Sequence, residues 1–224
     1  MNIKGAIFDM DGTLLDSLGF WGYFWPRVGE KYFGNSDFYP EVIDKAIRTM
    51  IFEDGMTYFK DYYKVPDSIE DIMEFSVSEL RNFYVKVAKP KDGAFELLEY
   101  LKEKGVGMVL ASATNRENVM LALEASGMLP YFDAVLSCAD IGVGKDKPDI
   151  YIKAMKTLGI DDVKEICVYE DSYVALETAK NFGFKTVGIF DKNNYGQDRL
   201  EAASDFYLSD GHSLAELISV SAEL

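Results

Sequence analysis

The sequence predicts an α/β fold, a parallel sheet flanked by helices and interrupted once by an all-helical insertion. Three observations predict it. Short apolar runs alternate with amphipathic segments from residue 94 onward, the β-α-β rhythm that builds a parallel sheet with right-handed crossovers. Gly105, Gly127, Gly159 and Gly183 each close one of the amphipathic segments, as glycine does just beyond a helix C-terminus. Residues 17–87 carry helical spacing and no strand signature.

In chain order, Gly5-Ala6-Ile7-Phe8 is short, apolar on both faces and stopped by Asp9-Met10-Asp11-Gly12, so it reads as a buried strand. The aromatics from Phe20 to Trp25 read as the apolar face of a helix, followed by helical stretches at 40–53, 55–64 and 68–87. In the last of these, Ile69, Ile72, Met73, Val77, Leu80, Tyr84 and Val87 recur at helical spacing. The insertion therefore spans 17–87, and 1–16 with 88–224 forms the α/β domain. There the expected strands are 106–111, 134–138, 166–169, 186–190 and 206–208. The expected helices are 95–104, 115–126, 149–158, 173–182 and one from Ser213.

Composition narrows the function. The 224 residues are 48% hydrophobic, ample for a core, and the formal net charge of −15 argues against nucleic acid and anionic membrane as partners. The same charge repels an anionic substrate, so a phosphate site has to be locally positive. Cys138 and Cys167 lie in apolar runs and imply no disulfide framework, which fits a reducing cytoplasm. No signal peptide is expected, because an aspartate pair interrupts the apolar start. A single histidine, His212, leaves acid–base chemistry to carboxylates or lysine.

Polar residues at strand ends are the candidate site, because ligands in open α/β sheets bind beyond the carboxyl ends of the strands. Residues two apart on extended chain share a face, so Asp9 and Asp11 can face one pocket. Two carboxylates about 4 Å apart repel by roughly 4 kcal/mol at an effective dielectric near 20, which calls for a shared proton or a cation, Mg²⁺ being the natural one. Ser112 either ends its strand or grips a phosphate oxygen, with Thr114 or Asn115 capping the next helix. Lys145 and Lys147 are either solvated or neutralise phosphoryl charge. Asp171 and Ser172 either cap a helix or, as Glu170-Asp171, complete a metal site with Asp9.

Taken together, Asp9-Met10-Asp11-Gly12-Thr13, Ser112, Lys145 and Glu170-Asp171 occur in an order and spacing that resembles the haloacid dehalogenase-like superfamily of phosphohydrolases. The resemblance covers the whole chain. Gly144-Lys145 before Pro148-Asp149-Ile150-Tyr151, with Glu170-Asp171-Ser172, is similar to the branch holding β-phosphoglucomutase and phosphoglycolate phosphatase. It implies a Rossmann-like core with a helical cap at 17–87, and hydrolysis of a small phosphorylated metabolite. It further implies Asp9 as nucleophile and Asp11 as acid and base, with Mg²⁺ held by Asp9, Asp171 and the Asp11 carbonyl. Glu170 would bind a metal water or orient Lys145. Ser112, Ala113 N–H and the Met10 and Asp11 N–H groups would receive the phosphoryl oxygens, and Lys145, three residues before the proline, would balance charge. Trp21, Lys45 and Arg48 are the candidate cap contacts to the rest of the substrate, and a monomer is the default.

Two departures stand out. Trp21 occupies the place where β-phosphoglucomutases usually carry a cap histidine, which favours a phosphatase over a mutase. Ala175 replaces a frequent glycine, without an expected functional change. A dehalogenase is disfavoured by Asp11 and Glu170-Asp171. A non-catalytic phosphate-binding protein would be expected to break a motif, and none is broken.

Overall fold

A computed structural model describes residues 3–47, 50 and 52–221. It divides into two compact units, Met1–Leu18 with Ala88–Leu224, and Gly19–Val87. In chain order the elements are β1 (Gly5–Phe8), β2 (Leu15–Asp16), α1 (Phe20–Phe33), α2 (Glu41–Ile47), α3 (Phe52–Tyr63), α4 (Ile69–Lys86), β3 (Lys89–Pro90) and α5 (Ala94–Glu103). They continue with β4 (Gly107–Ser112), α6 (Arg116–Ser126), β5 (Ala134–Ser137), α7 (Cys138–Ile141), α8 (Asp149–Leu158) and β6 (Ile166–Glu170). The chain ends with α9 (Tyr173–Phe182), β7 (Lys185–Ile189), α10 (Gln197–Ala203), β8 (Phe206–Leu208) and α11 (Leu217–Ser221). None of the described helices is long and apolar enough to cross a membrane.

The first unit is a six-stranded sheet in the order β5-β4-β1-β6-β7-β8, and every neighbouring pair is parallel. All four residues of β1 are buried, as a central strand covered on both faces requires. Ile7, Val109, Val168 and Ile166 form the core with Ile150 and Ala154 of α8 and Leu176 and Ala179 of α9. The central strand thus ends in the middle of the sheet, with Phe8 paired to Leu110 on one side and Tyr169 on the other. β2 and β3, which flank the helical unit in sequence, pair antiparallel.

Several elements differ from expectation for local reasons. Strands β4 and β6 each run one residue further, through Ser112 and Glu170, because ladder hydrogen bonds do not depend on side-chain polarity. The strand expected at 134–138 stops at Ser137, whose hydroxyl accepts the Ala139 N–H and starts α7 at Cys138. Helix α10 was not expected, and the C-terminal helix is split into a 3₁₀ turn at Leu214–Glu216 and α11.

In the helical unit α1 packs on α4, α3 on α4 and α2 on α3. Trp25 of α1 is fully buried and its indole N–H donates to Asp44 Oδ1 at 2.7 Å. The Tyr39 hydroxyl donates to Asp44 Oδ2 at 2.8 Å. A buried aspartate thereby joins three stretches of chain. Asp44→Ala is expected to cost about 1–3 kcal/mol by leaving the indole donor without this acceptor, read by urea denaturation; an unchanged midpoint would show that water replaces the carboxylate.

Candidate active site

The turn after β1 is compact: Met10 C=O accepts the N–H groups of Leu14 and Leu15 at 3.0 and 2.9 Å. Gly12 makes it possible, with φ of +85° and no room for a side chain, since a Cβ there would collide with the Asp171 carboxylate. Because β1 and β6 are neighbours, this turn meets the end of β6, and Asp9 N–H donates to Tyr169 C=O at 3.0 Å.

Asp9, Glu170 and Asp171 are buried, and one carboxylate oxygen from each lies within 4.8 Å of the others. Lys145 reaches this cluster from the loop before α8. Its Nζ donates to Asp9 Oδ1 and to Glu170 Oε1, both at 2.5 Å, with the lysine side chain only 9% exposed. Lys147, the other lysine in that loop, is exposed. Both oxygens of Glu170 have partners: Oε1 takes Lys145 and Oε2 takes the N–H groups of Asp171 and Ser172 at 3.0 and 3.2 Å. Asp171 Oδ1 accepts the Thr13 hydroxyl at 3.1 Å and Oδ2 accepts Asn194 Nδ2 at 2.6 Å. Asp171 therefore does not cap α9, and Ser172, which stands at the cap position, makes no side-chain cap bond.

Asp11 lies beside this group with both oxygens bonded, Oδ1 by Ser17 Oγ at 2.7 Å and Oδ2 by Thr114 Oγ1 at 2.8 Å. Ser112 ends β4, two residues beyond the Phe8–Leu110 pair, and its oxygen accepts the Thr114 N–H at 3.0 Å, a bond that does not use the hydroxyl proton. Ala113 follows on an exposed turn, and Asn115 caps α6 through the Asn118 N–H at 3.0 Å. Thr114 thus serves Asp11 rather than the helix cap. Met10, by contrast, is buried.

Electrostatics set the character of the site. Burial, reinforced by the charges of Glu170 and Asp11 and opposed by Lys145, pushes the Asp9 carboxyl up to about 8. Burial also lifts Asp171 well above the usual carboxylate range, with Glu170 and Asp9 adding to the effect. Burial works against the Lys145 charge, yet Asp9 and Glu170 outweigh it and hold the ammonium well above the ordinary lysine value. Three buried carboxylates faced by one lysine resist ionising together, and their oxygens converge. That is a donor set suited to a hard divalent cation.

Of the residues singled out in the helical unit, Trp21 stacks on Trp25 and touches the rings of Phe20, Phe24 and Phe52. Lys45 is exposed and pairs with Glu41 at 2.9 Å. Arg48 lies outside the described residues. Four participants, Thr13, Ser17, Thr114 and Asn194, carried no site role in the sequence reading. Thr13 directly follows the aspartate–glycine turn and had the best local signal. Asn194 had none.

The chain is similar to several known proteins over nearly all of its length. A curated relative from Thermotoga maritima named "Phosphorylated carbohydrates phosphatase" is 28% identical over 203 residues, spanning 90% of this chain and 92% of its own. A crystal structure from the same organism, provisionally assigned as a beta-phosphoglucomutase, superposes with a TM-score of 0.85 at 26% identity, covering 99% of this chain and all of that one. The structure of CbbY from Rhodobacter sphaeroides in complex with phosphate shares the fold, with a TM-score of 0.74 at 22% identity over 96% of each chain. The family model for haloacid dehalogenase-like hydrolases matches residues 3–183, a span that holds every residue of the cluster described above except Asn194, which lies in the loop after β7. The chain belongs to the haloacid dehalogenase-like hydrolase family.

Proposed function

We propose that this hydrolase is a Mg²⁺-dependent phosphatase acting on a small phosphomonoester, a sugar phosphate or similar metabolite, through an aspartyl-phosphate. The observation that carries the reading is the buried Asp9–Glu170–Asp171 cluster bridged by Lys145 at the carboxyl ends of parallel strands. The name of the Thermotoga maritima phosphatase supports the carbohydrate class.

Asp9 and Asp171, with the Asp11 carbonyl, would hold the cation, while Glu170 orients Lys145 or binds a metal water. When bound, Mg²⁺ offsets carboxylate and phosphoryl charge and keeps Asp9 ionised. Asp9 attacks phosphorus in line, forming the carboxyl–phosphorus bond as the ester bond breaks, and Asp11 gives its proton to the leaving alkoxide. Water then attacks the aspartyl-phosphate, returns a proton to Asp11 and frees phosphate and Asp9. Ser17 and Thr114 hold the Asp11 carboxyl in one orientation. Ser112, Ala113 N–H and the Met10 and Asp11 N–H groups receive the phosphoryl oxygens, and Lys145 balances the charge. The helical unit is the cap in this reading, with Trp21 and Lys45 as contacts to the rest of the substrate. A panel of phosphorylated metabolites assayed with Mg²⁺ tests the reading. Turnover in EDTA equal to that in Mg²⁺, or none across the panel, would reject it. Efficient isomerisation of β-glucose 1-phosphate with a bisphosphate primer would replace it by a mutase.

The raised Asp9 value gives a pH prediction. Between its unfolded value near 4 and its folded value of about 8, the folded protein holds the extra proton. The Asp9 contribution to stability is therefore full below about pH 4 and is lost as pH rises through about 8. In EDTA the melting temperature should fall from pH 5 to pH 8 more steeply than in Asp9→Asn, and Mg²⁺ should raise it most at pH 8. Identical pH slopes in the two proteins would contradict the assignment.

A further inference from the structure

We infer that Asn194 is a positioning residue for the metal-binding carboxylate of Asp171, held in place by the Lys91–Asp191 ion pair; the inference rests on the Mg²⁺-phosphatase reading. The Asn194 amide nitrogen donates both to Asp171 Oδ2 at 2.6 Å and to the Asp171 backbone carbonyl at 3.1 Å. One amide therefore fastens the side chain and the main chain of the same residue. Its orientation is unambiguous, because Asn194 Oδ1 accepts the Tyr195 N–H at 2.8 Å and leaves Nδ2 to face the carboxylate. With Thr13 on Oδ1, each oxygen of Asp171 has one hydrogen bond, and a remaining lone pair on each can go to a cation.

The chemistry suits a neutral donor. An amide fixes the direction of the carboxylate without cancelling its charge, whereas a lysine at this position would compete with the metal. Partners of this kind typically account for about 10–100-fold in metal affinity.

The loop that delivers Asn194 is braced at several points. Asp191, 4% exposed, accepts the Asn193 N–H at 2.8 Å on Oδ1, and its backbone carbonyl accepts the Asn194 N–H at 3.0 Å and Gln197 Nε2 at 3.0 Å. Its Oδ2 pairs with Lys91 Nζ at 3.0 Å, and that ammonium also donates to Phe190 C=O at 2.9 Å. Lys91 directly follows β3, in the stretch where the chain returns from the helical unit, and its own N–H donates to Leu14 C=O at 2.8 Å. At the far end of the loop, Gly196 has φ of +70° and packs on the Tyr173 ring, where a Cβ would clash. Such bracing fits a loop whose Asn194 amide must hold its place.

The test is calorimetric titration of Mg²⁺ into the full-length protein, Asn194→Ala and the isosteric Asn194→Leu, alongside steady-state kinetics. Whichever variant folds should bind Mg²⁺ about 10–100-fold more weakly. At saturating Mg²⁺ its KM for the phosphate ester should be unchanged and kcat should recover to near the parent value. Asn194→Gln, which keeps an amide donor, should recover part of the Mg²⁺ affinity. Parent-like Mg²⁺ affinity in a folded Asn194→Ala or Asn194→Leu would overturn the inference while leaving the phosphatase reading intact. A kcat that stays depressed at saturating Mg²⁺ with unchanged metal affinity would also overturn it, pointing to a purely structural loop. Absence of Mg²⁺ binding by the parent protein would overturn both.

Discussion

Asp9→Asn is expected to lower kcat/KM for a phosphomonoester by at least about 10³-fold while leaving the protein folded, because it replaces the nucleophile by an amide of the same shape. Its stability in EDTA at pH 8 should equal or exceed that of the parent. Asp9 is one of three buried carboxylates in a single cluster, and losing its charge relieves repulsion with the other two. The two readouts separate the roles. A collapse of activity together with retained or improved melting temperature identifies a residue kept for chemistry. Full activity in this variant would end the proposed mechanism, whatever the metal dependence.

Lys145→Ala should have the largest effect on stability. The Nζ is the bridge between Asp9 and Glu170, and all three side chains are less than a tenth exposed. Removing one partner of a buried pair leaves uncompensated charge, at a cost of about 3–5 kcal/mol. The sign with pH follows from the remaining carboxylates. Without the ammonium, Asp9 is lifted further above about 8; it keeps its proton in parent and variant alike at acid pH, so the Asp9 part of the deficit stays level there and grows as pH rises through about 8. Activity should fall by about 10²-fold or more, since the same charge is meant to face the phosphoryl group. Lys145→Arg is not expected to restore it, because a planar guanidinium cannot take the place of a point charge bridging two carboxylates in so small a volume. Urea denaturation at pH 5 and pH 9, with assays at saturating Mg²⁺, measures both effects. A pH-independent loss would mean that packing, and not charge, explains the lysine.

The residues of the cluster were legible because their chemistry is local in the chain. A strand that is apolar on both faces and stops at Asp9-Met10-Asp11-Gly12 announces a site at its own end. The same pattern at Ser112 and at Glu170-Asp171 repeats the signal. Boundaries were less legible where a polar side chain rides on an ordinary ladder, as at Ser112 and Glu170, or where a hydroxyl turns a strand into a helix, as at Ser137. Helix α10 escaped because its seven residues bury only Leu200 and Ala203, too few to show a period.

The sequence alone determined the α/β rhythm, the helical insertion and the chemical kinds of the site residues, since strand and helix periods and turn residues act over a few positions. Only the tertiary structure decided the strand order that puts β1 beside β6, and with it the meeting of Asp9 and Asp171 across 162 positions of chain. It also decided that Thr13 and Asn194 divide the oxygens of Asp171 between them. Those pairings depend on sheet order and loop path, which are set by burial summed over the whole core and leave no mark in the local spacing of residues.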